Sequence, residues 1–135
     1  MPTIEKENYL KALYKFDERG EGVTVTALSR LFGVSKSTVS NMLKEMSKLG
    51  LVETEAYKPI FLTEAGRQIA TEIVAKHRLI ETFLVQVMGF EPDHVHQIAE
   101  ELEHVRQPDF FRRMNEMLGD FSHDPHGTPI PNHDF

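Results

Sequence analysis

Residues 24–62 read TVTALSRLFGVSKSTVSNMLKEMSKLGLVETEAYKPIFL, and the order of signals within them decides the fold. Thr24 or Thr26 can cap a short helix, TALSRLF, whose Ala27, Leu28 and Leu31 point inward. Gly33 can take the positive φ of a tight turn, and Ser35 can cap a second helix. That helix runs from about Lys36 to Leu49, with Val39, Met42, Leu43, Met46 and Leu49 on one face, and Gly50 ends it. After Gly50 the period changes. LVETEA alternates like a strand, Tyr57, Lys58 and Pro59 turn, and Ile60, Phe61 and Leu62 can pair back. Two helices joined by a glycine turn and followed by a hairpin make the winged helix-turn-helix order.

The second of those helices carries the chemistry of this half. With Val39 and Met42 turned to the core, Ser35, Lys36, Ser37, Thr38, Ser40 and Asn41 lie toward the outer side. Short hydroxyls let a helix approach base edges and phosphates, and an asparagine can read an adenine edge with two hydrogen bonds. Lys36, Lys44 and Lys58 offer phosphate contacts. The plainer alternative is a capped surface helix on a winged helix that binds protein, because the charge of this half is small.

Working outward, Ile4 to Arg19 places Tyr9, Leu10, Leu13, Tyr14 and Phe16 at helical spacing, and Gly20-Glu21-Gly22 stops that helix. Thr63-Glu64-Ala65-Gly66 opens a long helix that reaches about Met88 and closes at Gly89. Pro92 begins a further helix to about Val105, and Pro108 a last one to about Leu118. The tail from Gly119, with Pro125, Pro129 and Pro131, is expected to lack regular structure. The fold class is therefore mainly α. Residues 1–62 form an N-terminal winged helix-turn-helix, and residues 63–135 a C-terminal helical domain.

Charge separates the same halves. Residues 1–62 carry nine Lys/Arg against eight Asp/Glu. Residues 63–135 carry six against thirteen, together with all seven histidines. Carboxylates and imidazoles gathered in one half repel unless a cation neutralises them, the electrostatic logic of a metal sensor. The spacing supports this. His96, Glu100, Glu103 and His104 fall at i, i+4, i+7 and i+8 on one helical stripe, and His77 and Glu81 form another i, i+4 pair upstream. Antiparallel packing of the two helices lets the pairs converge. Nitrogen and carboxylate donors without thiolate suit Mn2+, Fe2+, Co2+ or Zn2+. His123, Asp124 and His126 are further candidates, or only a polar loop with an Asp-Pro turn. The alternative for the whole set is solvated charge on a surface helix.

Other function classes are narrowed by what is missing. With no cysteine, disulfides, iron–sulfur clusters and thiolate zinc sites are excluded. No apolar run reaches about 18 residues, and the N-terminus lacks a basic region followed by an apolar one. A cytoplasmic protein with no membrane partner is the expectation. A His/Glu metal site can activate water, so a metal-dependent enzyme is an alternative. However, HExxH, GxSxG and a glycine-rich phosphate loop are all lacking, and no enzyme activity is expected.

Across nearly its whole length the chain resembles the diphtheria toxin repressor family, in particular its manganese transport regulator branch. The resemblance rests on KENYLKALY at the start, SKSTVSNMLKEMSKLGLV, LTEAGRQIA, KHRLIETFL, HVHQIA followed by EELEHV, and DPHGTPIP at the end. It implies a dimeric, metal-activated repressor that binds a near-palindromic operator of metal-uptake genes as a homodimer, through the helices after residue 63. It also implies a primary metal site on Asn8, Glu100, Glu103 and His104. Asn8 lies on the first helix, so such a site joins the DNA-binding half to the sensor half. A second site is implied on His77, Glu81 and His96, with Asp124 and His126 contributed by the DPHG segment. Glu100 is a sulfur ligand in iron-type members and Glu in manganese-type ones, which favours Mn2+ over the alternative Fe2+; Co2+ or Zn2+ can substitute. Two positions depart from the manganese pattern. Asn8 stands where Asp is common, and Lys11 stands where some members have Glu for a two-metal cluster. Many members continue into an SH3-like domain after the segment matching DPHGTPIP.

Overall fold

Every helix of the first 50 residues starts on a hydroxyl. In the computed structural model, which describes residues 2–119, 123–127 and 129–131, Thr3 caps helix α1 (Ile4–Glu18) by accepting from the Lys6 amide at 3.2 Å. Thr24 caps α2 (Val25–Phe32) by accepting from Ala27 at 3.0 Å, and Ser35 caps α3 (Lys36–Lys48) by accepting from Thr38 at 3.1 Å. Each cap satisfies an amide that the helix leaves without a partner. Gly33 takes the left-handed conformation (φ 66°) that the turn between α2 and α3 demands.

The wing comes next. Strand β1 (Val52–Glu53) pairs antiparallel with β2 (Phe61–Leu62), with Val52 opposite Leu62 and Glu53 opposite Phe61. Val23 adds a bridge to Ile60. The strands are shorter than the alternation over 51–56 suggests. Lys58 donates back to the Glu55 carbonyl at 3.2 Å, and Tyr57 sits at φ 62°, so the chain leaves the ladder early and makes a broad turn.

By contacts the chain divides into two units, residues 1–70 and 71–135. The first buries Leu10, Leu28, Val39 and Met46 completely, with Tyr9, Leu13, Leu43, Leu51 and Val52 around them. Two inward assignments from periodicity fail. Leu31 is 57 % exposed because Phe32, one residue on, takes the inward place and stacks on Tyr9 at 4.5 Å. Leu49 is 59 % exposed because it is the C-cap of α3. The chain turns at Gly50 (φ 76°) and inserts Leu51 and Val52 instead. Thr63 fixes the start of α4 (Glu64–Gln86). Its hydroxyl donates to the Gly50 carbonyl at 2.6 Å and accepts from the Gly66 amide at 3.1 Å. Gly66 lies so close to the Leu51 carbonyl oxygen that no Cβ fits there.

In the second unit, Leu79, Ile80 and Leu84 of α4 pack with Val95, Ala99, Phe111 and Met114. The helix expected from Pro92 to Val105 is broken in two. Pro92–His94 is a 3-10 turn, and α5 covers His96–Leu102 only. The tighter turn sets Val95 and Ala99 on the same buried side. At the other end, Glu103 and Val105 close the helix with amide bonds to Ala99 (2.9 Å) and Leu102 (3.1 Å). Helix α6 spans Pro108–Leu118. In the tail, the described residues hold no helix or strand, as its prolines suggest, but Asp124 to Gly127 form a hydrogen-bonded turn and His123 bridges Pro129. Residues 120–122, 128 and 132–135 of that tail lie outside the described ones. Among the described residues, no helix is long and apolar enough to cross a membrane.

Candidate functional site

Helix α4 carries His77 and Glu81 on the face it turns into the second unit, one turn apart, and both are 3 % exposed. His77 is held from two sides. Its Nδ1 lies 3.1 Å from Glu103 Oε1, and its Nε2 lies 3.3 Å from Glu81 Oε1 and 3.2 Å from His96 Nδ1. The two imidazoles meet edge to face at 4.8 Å between centroids. Burial by itself lowers the His77 pKa, but the hydrogen bonds and charges of Glu103 and Glu81 outweigh it and hold the ring above its ordinary value. Burial likewise raises the Glu81 carboxyl, and the neighbouring His77, His126 and His96 more than reverse it, so the net shift is downward.

Among the described residues, two sets of three ligand atoms each lie within 4.8 Å of one another: His77, Glu81 and His96, and Glu81, Asp124 and His126. Glu81 belongs to both. Its Oε2 is buried and, among the described residues, accepts no hydrogen bond, yet it faces His96 Nδ1 at 3.8 Å and His126 Nδ1 at 3.7 Å. Those separations are too long for hydrogen bonds. A buried carboxylate oxygen left so costs about 1–3 kcal/mol or more, and a divalent cation between oxygen and imidazoles removes that cost. Nitrogen and carboxylate donors of this kind suit first-row divalent ions such as Mn2+, Fe2+, Co2+ and Zn2+. The residues present fit such an ion.

The sequence stripe behaves differently from its spacing. His96 and Glu100 do pair, at 3.0 Å, on the solvent side of α5. Glu103 is the C-cap of α5, only 1 % exposed, and turns to His77. His104 lies half-buried in the turn after it. Glu100, Glu103 and His104 do not form a group of three converging ligand atoms. Asn8 stands half-buried on α1 in the first unit. The tail does reach the centre. Asp124 accepts from the His126 amide at 2.9 Å, and His126 Nε2 lies 2.9 Å from the Pro92 carbonyl.

In the first unit, α3 presents Ser35, Lys36, Ser37, Thr38, Asn41 and Lys44 to solvent, with Ser40 half-buried. The Ser35 hydroxyl is engaged in the cap and lies 2.8 Å from that of Thr38 and 3.1 Å from that of Ser37. Lys58, on the wing, pairs with Glu55 at 2.6 Å. A cleft of about 660 Å³ opens between α3, the start of α2 and the wing. Its wall includes Thr24, Thr26 and Tyr57, which sequence reasoning did not assign to this face. The one signal for Tyr57 is conformational, a bulky residue at positive φ, and that is not visible in sequence.

Comparison with known proteins gives two matches along the chain. Residues 1–60 match the family described as iron dependent repressor, N-terminal DNA binding domain. Residues 63–132 match iron dependent repressor, metal binding and dimerisation domain. The diphtheria toxin repressor of Corynebacterium diphtheriae is 34 % identical over 125 residues, covering 93 % of this chain and 55 % of that protein. The iron-dependent repressor IdeR of Mycobacterium tuberculosis is also 34 % identical, over 93 % of this chain and 54 % of its own length. The chain thus spans about half the length of these relatives. A solved manganese-dependent transcriptional repressor in complex with manganese superposes with a TM-score of 0.87 at 38 % identity, over 94 % of this chain and 58 % of that one.

Proposed function

This chain belongs to the iron-dependent repressor family, that of the diphtheria toxin repressor, and from that premise we propose that it is a metal-activated transcriptional repressor of metal-uptake genes, with Mn2+ as the favoured activator. The observation that carries the reading is Glu81, a buried carboxylate shared by two groups of ligands with one oxygen turned to two imidazoles. It lies in the same chain as a capped helix whose outer face bears Lys36, Ser37, Asn41 and Lys44. Residues 1–62 take the DNA-binding role and residues 63–135 the sensing role.

When bound, the cation supplies the positive charge that a carboxylate and imidazole cluster otherwise obtains from protons. The residues of this chain do the rest. His77, Glu81, His96, Asp124 and His126 supply donors, and Glu103 orients His77 through Nδ1, as an outer partner fixes a ligating ring. Lys36 and Lys44 position the recognition helix on phosphates, while Asn41 reads a base edge. Metal and DNA raise each other's affinity by linkage. A homodimer sets two recognition helices one DNA turn apart on a near-palindromic site in the cytoplasm. Exposed Met88, Phe90, Phe110 and Met117 in the second unit support pairing of two copies.

Fe2+ is the second reading, favoured by relatives named as iron-dependent. Mn2+ is favoured by the manganese complex of the structural neighbour and by a donor set of imidazole nitrogen and carboxylate oxygen with no thiolate. The test is selection of bound duplexes from a random pool at fixed free Mn2+, Fe2+ (anaerobic) or chelator. Enrichment of a near-palindrome only with metal is expected. Equal enrichment with chelator, or none in any arm, refutes the proposal.

A further inference from the structure

Asp124-Pro125-His126-Gly127 is built to turn. Asp at the first position, Pro at the second and Gly at the fourth suit a type I turn. The Gly127 amide closes it on the Asp124 carbonyl at 3.0 Å, and Asp124 Oδ1 accepts from the His126 amide at 2.9 Å. A turn of this kind shapes itself, but nothing within it decides where it docks. It lies more than 35 residues beyond the end of α4 and still delivers Asp124 and His126 to Glu81.

Two of the hydrogen bonds that hold it there join described residues. His126 Nε2 lies 2.9 Å from the Pro92 carbonyl. The other bond comes from α4 itself. Arg78, next to His77, is 5 % exposed, and its Nη1 donates to the Pro129 carbonyl at 2.6 Å. A buried guanidinium is tolerated only where acceptors meet its rigid fork of donors. A main-chain carbonyl after the turn is such an acceptor, and Pro129 supplies it. We propose that Arg78 is a positioning residue that latches the tail onto α4, and thereby decides whether Asp124 and His126 reach Glu81. The effect on metal rests on the reading of the Glu81 cluster as a cation site; the latch itself does not.

The experiment compares the full chain with Arg78→Ala, Arg78→Lys and Asp124→Asn. Hydrogen exchange of the metal-free proteins reads the latch. The peptide carrying Asp124 and His126 should exchange at least about tenfold faster in Arg78→Ala, and Arg78→Lys, which keeps a cationic donor but not the planar fork, should recover part of the protection. Asp124→Asn should leave exchange of the Pro129 region unchanged. Mn2+ titration, followed by the paramagnetic resonance of the free ion, reads the consequence. Arg78→Ala should weaken binding about 10–100-fold, the range for an outer partner of a metal site, with Arg78→Lys in between. Tail protection in Arg78→Ala equal to wild type overturns the latch. If Arg78→Ala does not fold, wild-type exchange in Arg78→Lys together with unchanged Mn2+ affinity overturns it. Faster tail exchange with Mn2+ affinity unaltered in both Arg78→Ala and Asp124→Asn upholds the latch and refutes the cation reading of Asp124 instead.

Discussion

Glu81→Gln probes the centre where its two ligand groups join, because the change keeps shape and removes charge. In the metal-free protein it removes one charge-assisted hydrogen bond to His77, worth about 1.5–3 kcal/mol. The lower end is expected because Glu103 still holds Nδ1. The pH dependence follows from two opposed shifts. His77 titrates above its ordinary 6.5, so its contribution is complete below that pH and is lost as pH rises through the raised value. Glu81 titrates below its ordinary 4.5, so its contribution is present above that pH and is lost as pH falls through the lowered value. The difference between wild type and Glu81→Gln is therefore largest between pH 4.5 and 6.5 and shrinks on either side. With Mn2+ at about 100 times the wild-type dissociation constant, bound metal adds about 2.7 kcal/mol of stability. Glu81 serves both groups, so its loss should cost at least about 100-fold in affinity, the upper range for an outer partner. At the same free metal that leaves only about 0.4 kcal/mol. Urea unfolding by far-ultraviolet circular dichroism, metal-free at about pH 5.5 and with and without Mn2+ at about pH 7.5, measures both quantities. An equal Mn2+-induced shift of the midpoint in the two proteins refutes the assignment of Glu81 as the shared ligand.

Gly66→Ala should destabilise by more than the usual overpacking cost of about 1–3 kcal/mol, since the obstacle is the Leu51 backbone carbonyl, which cannot swing aside; a urea midpoint equal to wild type contradicts the close approach. Lys36→Ala should weaken operator and scrambled duplexes equally and reduce the salt slope by about one, whereas Asn41→Ala should cost about 1–3 kcal/mol on the operator alone. Salt titrations on both duplexes distinguish them, and equal losses for Asn41→Ala rule out base reading. Glu100→Cys should move the activating preference from Mn2+ toward Fe2+ or Co2+. An unchanged metal ranking in operator binding removes Glu100, which pairs with His96 on the exposed side of α5, from the selectivity argument.

The elements were legible because their signals are local. Thr24 or Thr26 and Ser35 as caps, Gly33 as a tight turn, Gly50 as a helix end and the change of period after it each report on a few adjacent residues; the structure caps with Thr24 and Ser35, turns left-handed at both glycines and follows with strands shorter than the alternation suggests. Periodicity was weaker at helix ends. Leu31 and Leu49 kept the spacing of a buried face and still face solvent, because Phe32 and Leu51 compete for the same volume and fit it better. A hydrophobic stripe records which residues can be buried, not which of two neighbours is.

For the candidate site, residue types and partial pairings were in the sequence and the convergence was not. The i, i+4 spacings brought His77 to Glu81 and His96 to Glu100, as a helix must. They also grouped Glu103 with His104, but the break at Val95 and the end of α5 at Leu102 turn Glu103 inward to a histidine 26 residues earlier. Sequence by itself determined the winged helix-turn-helix, the outward face of α3 and the stock of nitrogen and oxygen donors, since all of these depend on nearest neighbours along one element. Tertiary structure alone decided that Glu81 joins two ligand groups and that Arg78 holds the tail against α4. Those contacts link segments up to 51 residues apart, and their geometry is set by how α4, α5 and the Asp124 turn pack, which no spacing on a single helix encodes.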